Sequence, residues 1–179
     1  IDGRHLVTAS DDNSAKIFNS YEDKRFKYFY ATEHTLLYKA RNEAIKKAKG
    51  EIIGFLDVDD WWNKDKLEKQ IPLFDDSKVG LVYSNLYLFY ENSKKKKIYK
   101  NKILKRGNIT LDLLKDYNIG ILTILIRKLA YNSVSGFNNQ YEFSGDFDLV
   151  IRLSTKWEID CIQEPLACYR IHSNNFTFI

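Results

Sequence analysis

The stretch Glu51-Ile52-Ile53-Gly54-Phe55-Leu56-Asp57-Val58-Asp59-Asp60-Trp61-Trp62 decides the fold. Its first half is nearly continuous apolar text, the pattern of a strand buried on both faces in the centre of a sheet. Its second half places Asp57, Asp59 and Asp60 directly after that strand. Carboxylates so close raise one another's pKa unless a cation or hydrogen-bond donors compensate. In open α/β sheets, ligands sit just beyond the carboxyl ends of the strands. Two carboxylates at i and i+2 there can share one hard cation, which also takes phosphate oxygens as ligands. Taken alone, a D-x-D is a weak signal, because the same residues can simply form a polar turn that leads into a helix.

Upstream, Leu36–Lys49 predicts a helix with Leu37, Ala40, Ala44, Ile45 and Ala48 on one face and Gly50 as its stop at C′. Farther back, Ser14–Tyr21 has helical spacing, with Asp12 or Asn13 as its cap, and Phe26–Tyr30 reads as a short strand. Downstream, Asn63–Phe74 reads as a helix capped by Asn63 and ended or kinked by Pro72. Val79–Tyr90 is a long strand, the lysine block turns it, and Ile98–Leu104 is its return partner. Ile109–Leu114 and Lys128–Ser133 are short helical segments around an apolar strand, Ile119–Arg127. A helix over Gly145–Lys156 follows, with Phe147, Val150 and Ile151 buried, then two closing strands, Glu158–Ile162 and Leu166–Ile171. Strands and helices alternate early and a hairpin interrupts them, which predicts an α/β layered sheet, mostly parallel with antiparallel additions.

The 179 residues fit one domain, and 44% apolar with 15% aromatic content supplies a core and excludes disorder. The net charge of +4 is concentrated. Lys94, Lys95, Lys96, Lys97, Lys100, Lys102, Lys105 and Arg106 crowd one stretch, which reads either as a solvated hairpin or as a surface for anionic lipid or an anionic acceptor. No helix-turn-helix or zinc-finger spacing appears, so nucleic acid is set aside. Cys161 and Cys168 are too few for a disulfide framework, which points to a reducing compartment. No apolar run approaches the roughly 18 residues of a transmembrane span. The expected location is cytoplasmic, with peripheral membrane contact through residues 94–106. Ile1-Asp2-Gly3-Arg4 resembles a protease-cleavage linker, so residues 1–9 are expected to be a non-native segment and 10–179 the single domain.

The flanks of the carboxylates form a long ordered pattern. It runs Ala40-Arg41-Asn42-Glu43-Ala44-Ile45, then Ala48-Lys49-Gly50, the apolar strand, Asp57-Val58-Asp59-Asp60-Trp61-Trp62, and Lys66-Leu67-Glu68-Lys69-Gln70. Ser144-Gly145-Asp146-Phe147-Asp148-Leu149 with Arg152-Leu153 follows, and then Glu164-Pro165-Leu166 with Tyr169-Arg170-Ile171-His172. The whole resembles glycosyltransferase family 2, the inverting nucleotide-sugar transferases of GT-A fold, over roughly residues 12–177. The resemblance implies a bacterial enzyme of surface polysaccharide or lipid-linked glycan synthesis. It implies a nucleotide-diphosphate sugar donor such as a UDP-sugar, a divalent metal (Mn²⁺ or Mg²⁺), and a glycan or lipid-linked glycan acceptor.

Residue by residue, it makes Asp59 the direct metal ligand and places Asp57 on the ribose or the metal. Asp146 becomes the catalytic base that takes the acceptor's proton, favoured in its ionised form by a helix N-terminus. Asp148 is the duller helix-start carboxylate. Arg41 reaches the donor's base or diphosphate, and Asp12 stands with the donor-binding residues. Asp60, Trp61 and Trp62 lie toward the sugar or acceptor, with one tryptophan expected to stack and the other to pack. His172 is a further candidate for diphosphate or metal. The family's first strand and the Gly-Ser after its second are absent here, although Asp11-Asp12 stands near that place. The nucleotide-binding half is therefore expected to be incomplete, which leaves an open sheet edge near Glu51–Leu56 for a homodimer to cover. The alternative is an inactive scaffold acting as an interaction module.

Overall fold

The computed structural model describes residues 5–7, 36–173 and 175. One sheet contains β1 (His5–Val7), β2 (Ile52–Phe55), β3 (Trp61–Trp62), β4 (Val79–Tyr90), β5 (Lys95–Ile98), β6 (Leu125–Arg127) and β7 (Glu158–Ile171). The order is β1-β2-β6-β4-β7-β3, with β5 on β4 off this path. β1, β2, β4 and β7 point one way, so their carboxyl ends share one edge of the sheet. β3, β5 and β6 run against them. The sheet is mixed, as expected, with four strands running one way and β6 inserted antiparallel between β2 and β4.

The period of two sorts the sheet's side chains between two layers. Ile53 and Phe55 of β2, Leu81 and Tyr83 of β4, and Ile126 of β6 share one core with Ile45, Leu149, Val150 and Leu153. Those last four lie on α1 (Leu37–Lys47) and α5 (Gly145–Ser154). On the opposite face, Val79, Val82 and Leu125 pack with Phe74, Ile71 and Trp62. Fully burying each such side chain contributes about 1.5–3 kcal/mol, so a sheet covered on both faces is the stable arrangement.

Several local expectations shift for identifiable reasons. The buried face of α1 is Tyr38, Arg41 and Ile45, not the Leu37–Ala40–Ala44 stripe, because Arg41 finds a carboxylate inside. The helix stops at Lys47, short of a Gly50 cap, where the Ala48 N–H bonds back to Ala44 and Ile45 and Lys128 takes the Ala48 carbonyl. Helix α2 (Lys66–Gln70) passes at Ile71 into a 3-10 turn, since Pro72 lacks the N–H an α-helix needs. Asn63 does not cap it: its side chain donates to the Pro165 carbonyl at 2.9 Å.

The lysines are not the hairpin tip but its return strand, β5. Lys96 lies 3.8 Å over the Tyr87 ring and Lys97 5.8 Å over Tyr90, cation–π seats that suit lysine on an exposed strand. Ile119–Arg127 divides into a 3-10 turn, Ile121–Thr123, and β6. The two closing strands are one, β7, which follows β4 in parallel with register shifts at Asn85, opposite Pro165. The Asn85 side chain bridges that irregularity, donating to the Lys100 carbonyl at 2.7 Å and accepting from the Leu86 N–H at 2.9 Å.

Residues 5–7, set aside in the sequence reading, pair with β2 as β1. That pairing occupies the β2 edge that the homodimer expectation had left open. The Ser14–Tyr21 helix, the Phe26–Tyr30 strand and Asp11–Asp12 lie outside the described residues. No described helix is long and apolar enough to cross a membrane.

Candidate active site

Beyond Phe55 the chain turns sharply, with the Asp60 N–H donating to the Asp57 carbonyl at 3.2 Å. It then enters β3, which pairs antiparallel with β7, Trp61 opposite Cys168 and Trp62 opposite Ala167. The carboxylate turn is therefore pinned between two strands, and each of its carboxylates has a partner. Arg41 Nη2 donates to Asp57 Oδ1 at 2.8 Å. His172 Nε2 lies 2.9 Å from Asp59 Oδ2. The Arg170 N–H donates to Asp60 Oδ1 at 2.9 Å. Arg41 is only 4% exposed and its guanidinium lies 5.7 Å from the Phe55 ring centroid, so Asp57 is what makes burial of that charge tolerable.

Asp60 is buried, and its pKa is pushed up to about 7 by burial first, against the Arg170 hydrogen bond and with the Asp59 and Asp57 charges. Placed under β7 in this way, Asp60 ties the turn to the sheet. The tryptophans divide. Trp61 is exposed and meets Phe89 edge-on at 5.5 Å. Trp62 packs into the second core and donates from Nε1 to the Leu122 carbonyl at 2.8 Å. A Cβ at Gly54 would stand 2.7 Å from the Trp62 ring, so only glycine admits this indole beneath β2.

Behind Trp62 lies Lys66, fully buried, donating from Nζ to the Thr123 carbonyl at 2.8 Å and to Gln70. Burial lowers its pKa to about 7. Gln70 in turn donates to the Thr123 carbonyl at 3.0 Å. Sequence reasoning had placed Lys66 and Gln70 only within a motif, and their buried network was missed.

The second half of the site stands at the start of α5. Ser144, with φ of 57°, is in the left-handed region, a strained conformation for a non-glycine residue. Gly145 follows, and a Cβ there would lie 2.6 Å from the Tyr38 ring. Tyr38 stacks on Phe137 at 5.1 Å, so the ring cannot retreat freely. Asp146 comes next. Its charge is felt by Tyr38 and Tyr117, whose hydroxyls are both raised, first by burial and then by Asp146. The Tyr117 hydroxyl is buried with no hydrogen-bond partner among the described residues. The Asp146 carboxylate likewise accepts no hydrogen bond and makes no ion pair among the described residues. Asp148, by contrast, is engaged by Arg152 Nε at 3.0 Å, and Arg152 also donates to the Gly136 carbonyl at 2.8 Å. Asp148 thus belongs to the scaffold.

Helix α1 joins the two halves. Arg41 reaches the carboxylate turn, and Tyr38, nearly one turn earlier, reaches Gly145. Asn42 fastens the segment between them. Its amide donates to the Phe137 carbonyl at 2.8 Å and to Asn139 Oδ1 at 2.6 Å, and its Oδ1 accepts from the Phe137 N–H at 3.0 Å and from the Tyr131 hydroxyl. The signal for Tyr38, Asn42 and Gly145 was their place beside Arg41 and Asp146 in the two motifs.

Asp59 and His172 offer an oxygen and a nitrogen to a divalent cation. Among the described residues no group of three His, Cys, Asp or Glu side chains gathers to hold a metal. These residues fit a cation that completes its shell with diphosphate oxygens and water rather than an all-protein cage. Asp12 lies outside the described residues.

The family model "Glycosyl transferase family 2" matches residues 8–132. The UDP-Glc:alpha-D-GlcNAc-diphosphoundecaprenol beta-1,3-glucosyltransferase WfgD of Escherichia coli is 32% identical over 171 residues, covering 94% of this chain and 64% of that protein. WfaP, of the same printed activity and organism, is 38% identical over 80 residues, covering 45% of this chain and 32% of WfaP. The chain thus spans less than two thirds of either relative. The crystal structure of S. aureus TarS residues 1–349 in complex with UDP-GlcNAc superposes with a TM-score of 0.75 at 15% identity, over 97% of this chain and 52% of that one.

Proposed function

Since the chain belongs to glycosyl transferase family 2 and has the GT-A fold, we propose that it carries the donor- and base-bearing centre of an inverting sugar transferase. The observation that carries this reading is the contrast joined by α1. A fixed cluster of Arg41, Asp57, Asp59 and His172 stands at the carboxyl end of β2, and Asp146, unpaired among the described residues, stands at the start of α5.

In this reading Asp57 and Arg41 orient the nucleotide end of the donor, and Asp59 with His172 faces its diphosphate. What a divalent ion supplies when bound at Asp59 and His172 is neutralisation of the leaving diphosphate's charge. The acceptor hydroxyl oxygen attacks the anomeric carbon and gives its proton to the Asp146 carboxylate. The bond from that carbon to the phosphate oxygen breaks, and its electron pair leaves with the nucleoside diphosphate. Attack opposite the leaving group inverts the carbon. Trp61, exposed beside Phe89, offers a face for a sugar ring to stack on.

WfgD's name states a UDP-glucose donor and a sugar on a lipid-linked diphosphate, and the TarS complex holds UDP-GlcNAc. Both names fit a UDP-sugar donor for this chain, and WfgD's also fits a glycan acceptor. The test is calorimetry with Mn²⁺ and a panel of nucleoside diphosphates. UDP is expected to bind in the presence of Mn²⁺, and Asp59→Ala to abolish that binding. Failure of every nucleotide to bind would favour the inactive scaffold instead.

A further inference from the structure

The lysine-rich stretch is not consumed by the site just described. From Lys94 to Arg106 it holds eight basic residues and no acidic one. The chain runs back along β4, from Lys95 opposite Tyr90 to Lys105, whose carbonyl accepts from the Tyr83 hydroxyl at 2.8 Å. Its charges are therefore spread as a ribbon rather than bunched at a tip. Lys100 and Lys102 both reach Asp116, at 3.3 and 3.7 Å. Those contacts draw the ribbon against the end of α3 (Thr110–Lys115).

Apolar side chains stand out of the protein at this junction. Ile103, next to Lys102, is 83% exposed, and Leu111 and Leu114 of α3 are 71% and 56% exposed. Leu111 and Leu114 are three residues apart, so they share a helix face, while Leu113 is buried in the core. Exposed aliphatic residues scattered singly need no explanation, but Ile103 and Leu114 sit within two residues of an ion-paired lysine or its Asp116 partner, and Leu111 lies one turn from Leu114. A groove of about 310 Å³ opens beneath the same segment, between Lys100, Lys102 and Pro165.

We infer that Ile103, Leu111 and Leu114, together with the basic ribbon Lys94–Arg106, form a surface that docks on an anionic phospholipid bilayer. The cations face lipid phosphates, and the aliphatic side chains enter the boundary between headgroups and acyl chains, the division of labour of interfacial binding. Free phosphate or a soluble polyanion would use the lysines and leave the three aliphatic residues without a role. The surface also adjoins the base end of the site. Tyr117, next to Asp116, meets Phe147 edge-on at 5.0 Å, and Phe147 follows Asp146. Docked there, the protein would present Asp146 toward a membrane-borne acceptor. That last consequence rests on the function proposed above, whereas docking itself does not.

Co-sedimentation with phosphatidylglycerol–phosphatidylcholine vesicles tests it. Binding is expected, weakening with salt, and is not expected with pure phosphatidylcholine. The triple variant K94Q/K95Q/K105Q should lose about fivefold in partitioning per charge removed. The variant I103S/L111S/L114S should lose on the order of tenfold while keeping the charge. All six positions are exposed, and circular dichroism with UDP calorimetry shows whether each variant stays folded. Equal binding to neutral vesicles, no binding at all, or an aliphatic variant that binds like the wild type would overturn the inference. Heparin binding that is untouched by the aliphatic variant, with no vesicle binding, would identify a polyanion surface instead. Because UDP binding is read separately, loss of the membrane surface leaves the transferase reading standing, and the converse also holds.

Discussion

The carboxylate turn and the start of α5 hold the same kind of group in opposite ways. At the turn, Asp57, Asp59 and Asp60 are met by a guanidinium, an imidazole and a backbone N–H. At the helix, Asp146 has two tyrosine rings nearby and nothing that bonds its oxygens among the described residues. A ligand cradle gains from being fixed in advance, because ordering it then costs nothing at binding. A base must keep a lone pair open for the proton it will take. On the proposed function, the contrast separates a group that holds from a group that reacts, although both are aspartates.

The sharpest way to break that contrast is Asp146→Asn. Transfer to acceptor should fall on the order of 10²–10⁴-fold, while UDP affinity measured by calorimetry stays within about twofold of wild type. Equal loss of both would return Asp146 to the scaffold. Next in size is Asp57→Ala, which leaves Arg41 buried without its partner. Unfolding in urea should show a loss of about 2–3 kcal/mol, below the roughly 3–5 kcal/mol of a fully buried pair because Asp57 is partly exposed. An unchanged midpoint would mean that Arg41 finds another acceptor.

Gly145→Ala asks whether the base end is positioned by packing. The added methyl meets the Tyr38 ring, so a loss of about 1–3 kcal/mol is expected, together with a fall in kcat rather than in donor affinity. Adding Tyr38→Leu should recover the stability. Failure of that double variant to recover would place the strain at Ser144 instead.

A pH-dependent effect concerns Lys66, which is buried and has no carboxylate partner among the described residues. Its folded pKa of about 7 lies below the ordinary 10.5. Between those values the unfolded chain holds a proton that the folded chain has released, so stability rises with pH across that window and is lost as pH falls through it. Lys66→Met should flatten the dependence of the urea midpoint between about pH 7 and 10. A slope identical to wild type would show that Lys66 stays charged inside.

The parts of this architecture that were legible in sequence are those where one segment states its own environment. The β2 run, the twelve residues of β4 and the α5 pattern were of this kind, and so was the carboxylate pair that ends β2. What escaped were polar residues whose burial depends on partners far along the chain. Arg41 inside α1 needs Asp57, sixteen residues away. Lys66 needs the Thr123 carbonyl, and Asp60 needs the Arg170 N–H, 110 residues on. No local periodicity encodes such pairings, so the burial of Arg41, Lys66 and Asp60 becomes visible only in the folded chain. The lysines of β5 were misread for a related reason, since the tyrosine faces that seat them belong to another strand.

Helix α1 has one more consequence. Because Tyr38 and Arg41 leave the same short rod toward opposite ends of the site, the spacing between the proposed donor and acceptor ends is set by about one helical turn of backbone. Anyone redesigning this protein to accept a bulkier acceptor would gain nothing by loosening α1, since the donor end would move with it. The room for change lies in the loop of residues 138–143, which leads to the left-handed residue Ser144 and carries the exposed Tyr141 and Phe143. Length and shape can vary there while the rod keeps its gauge.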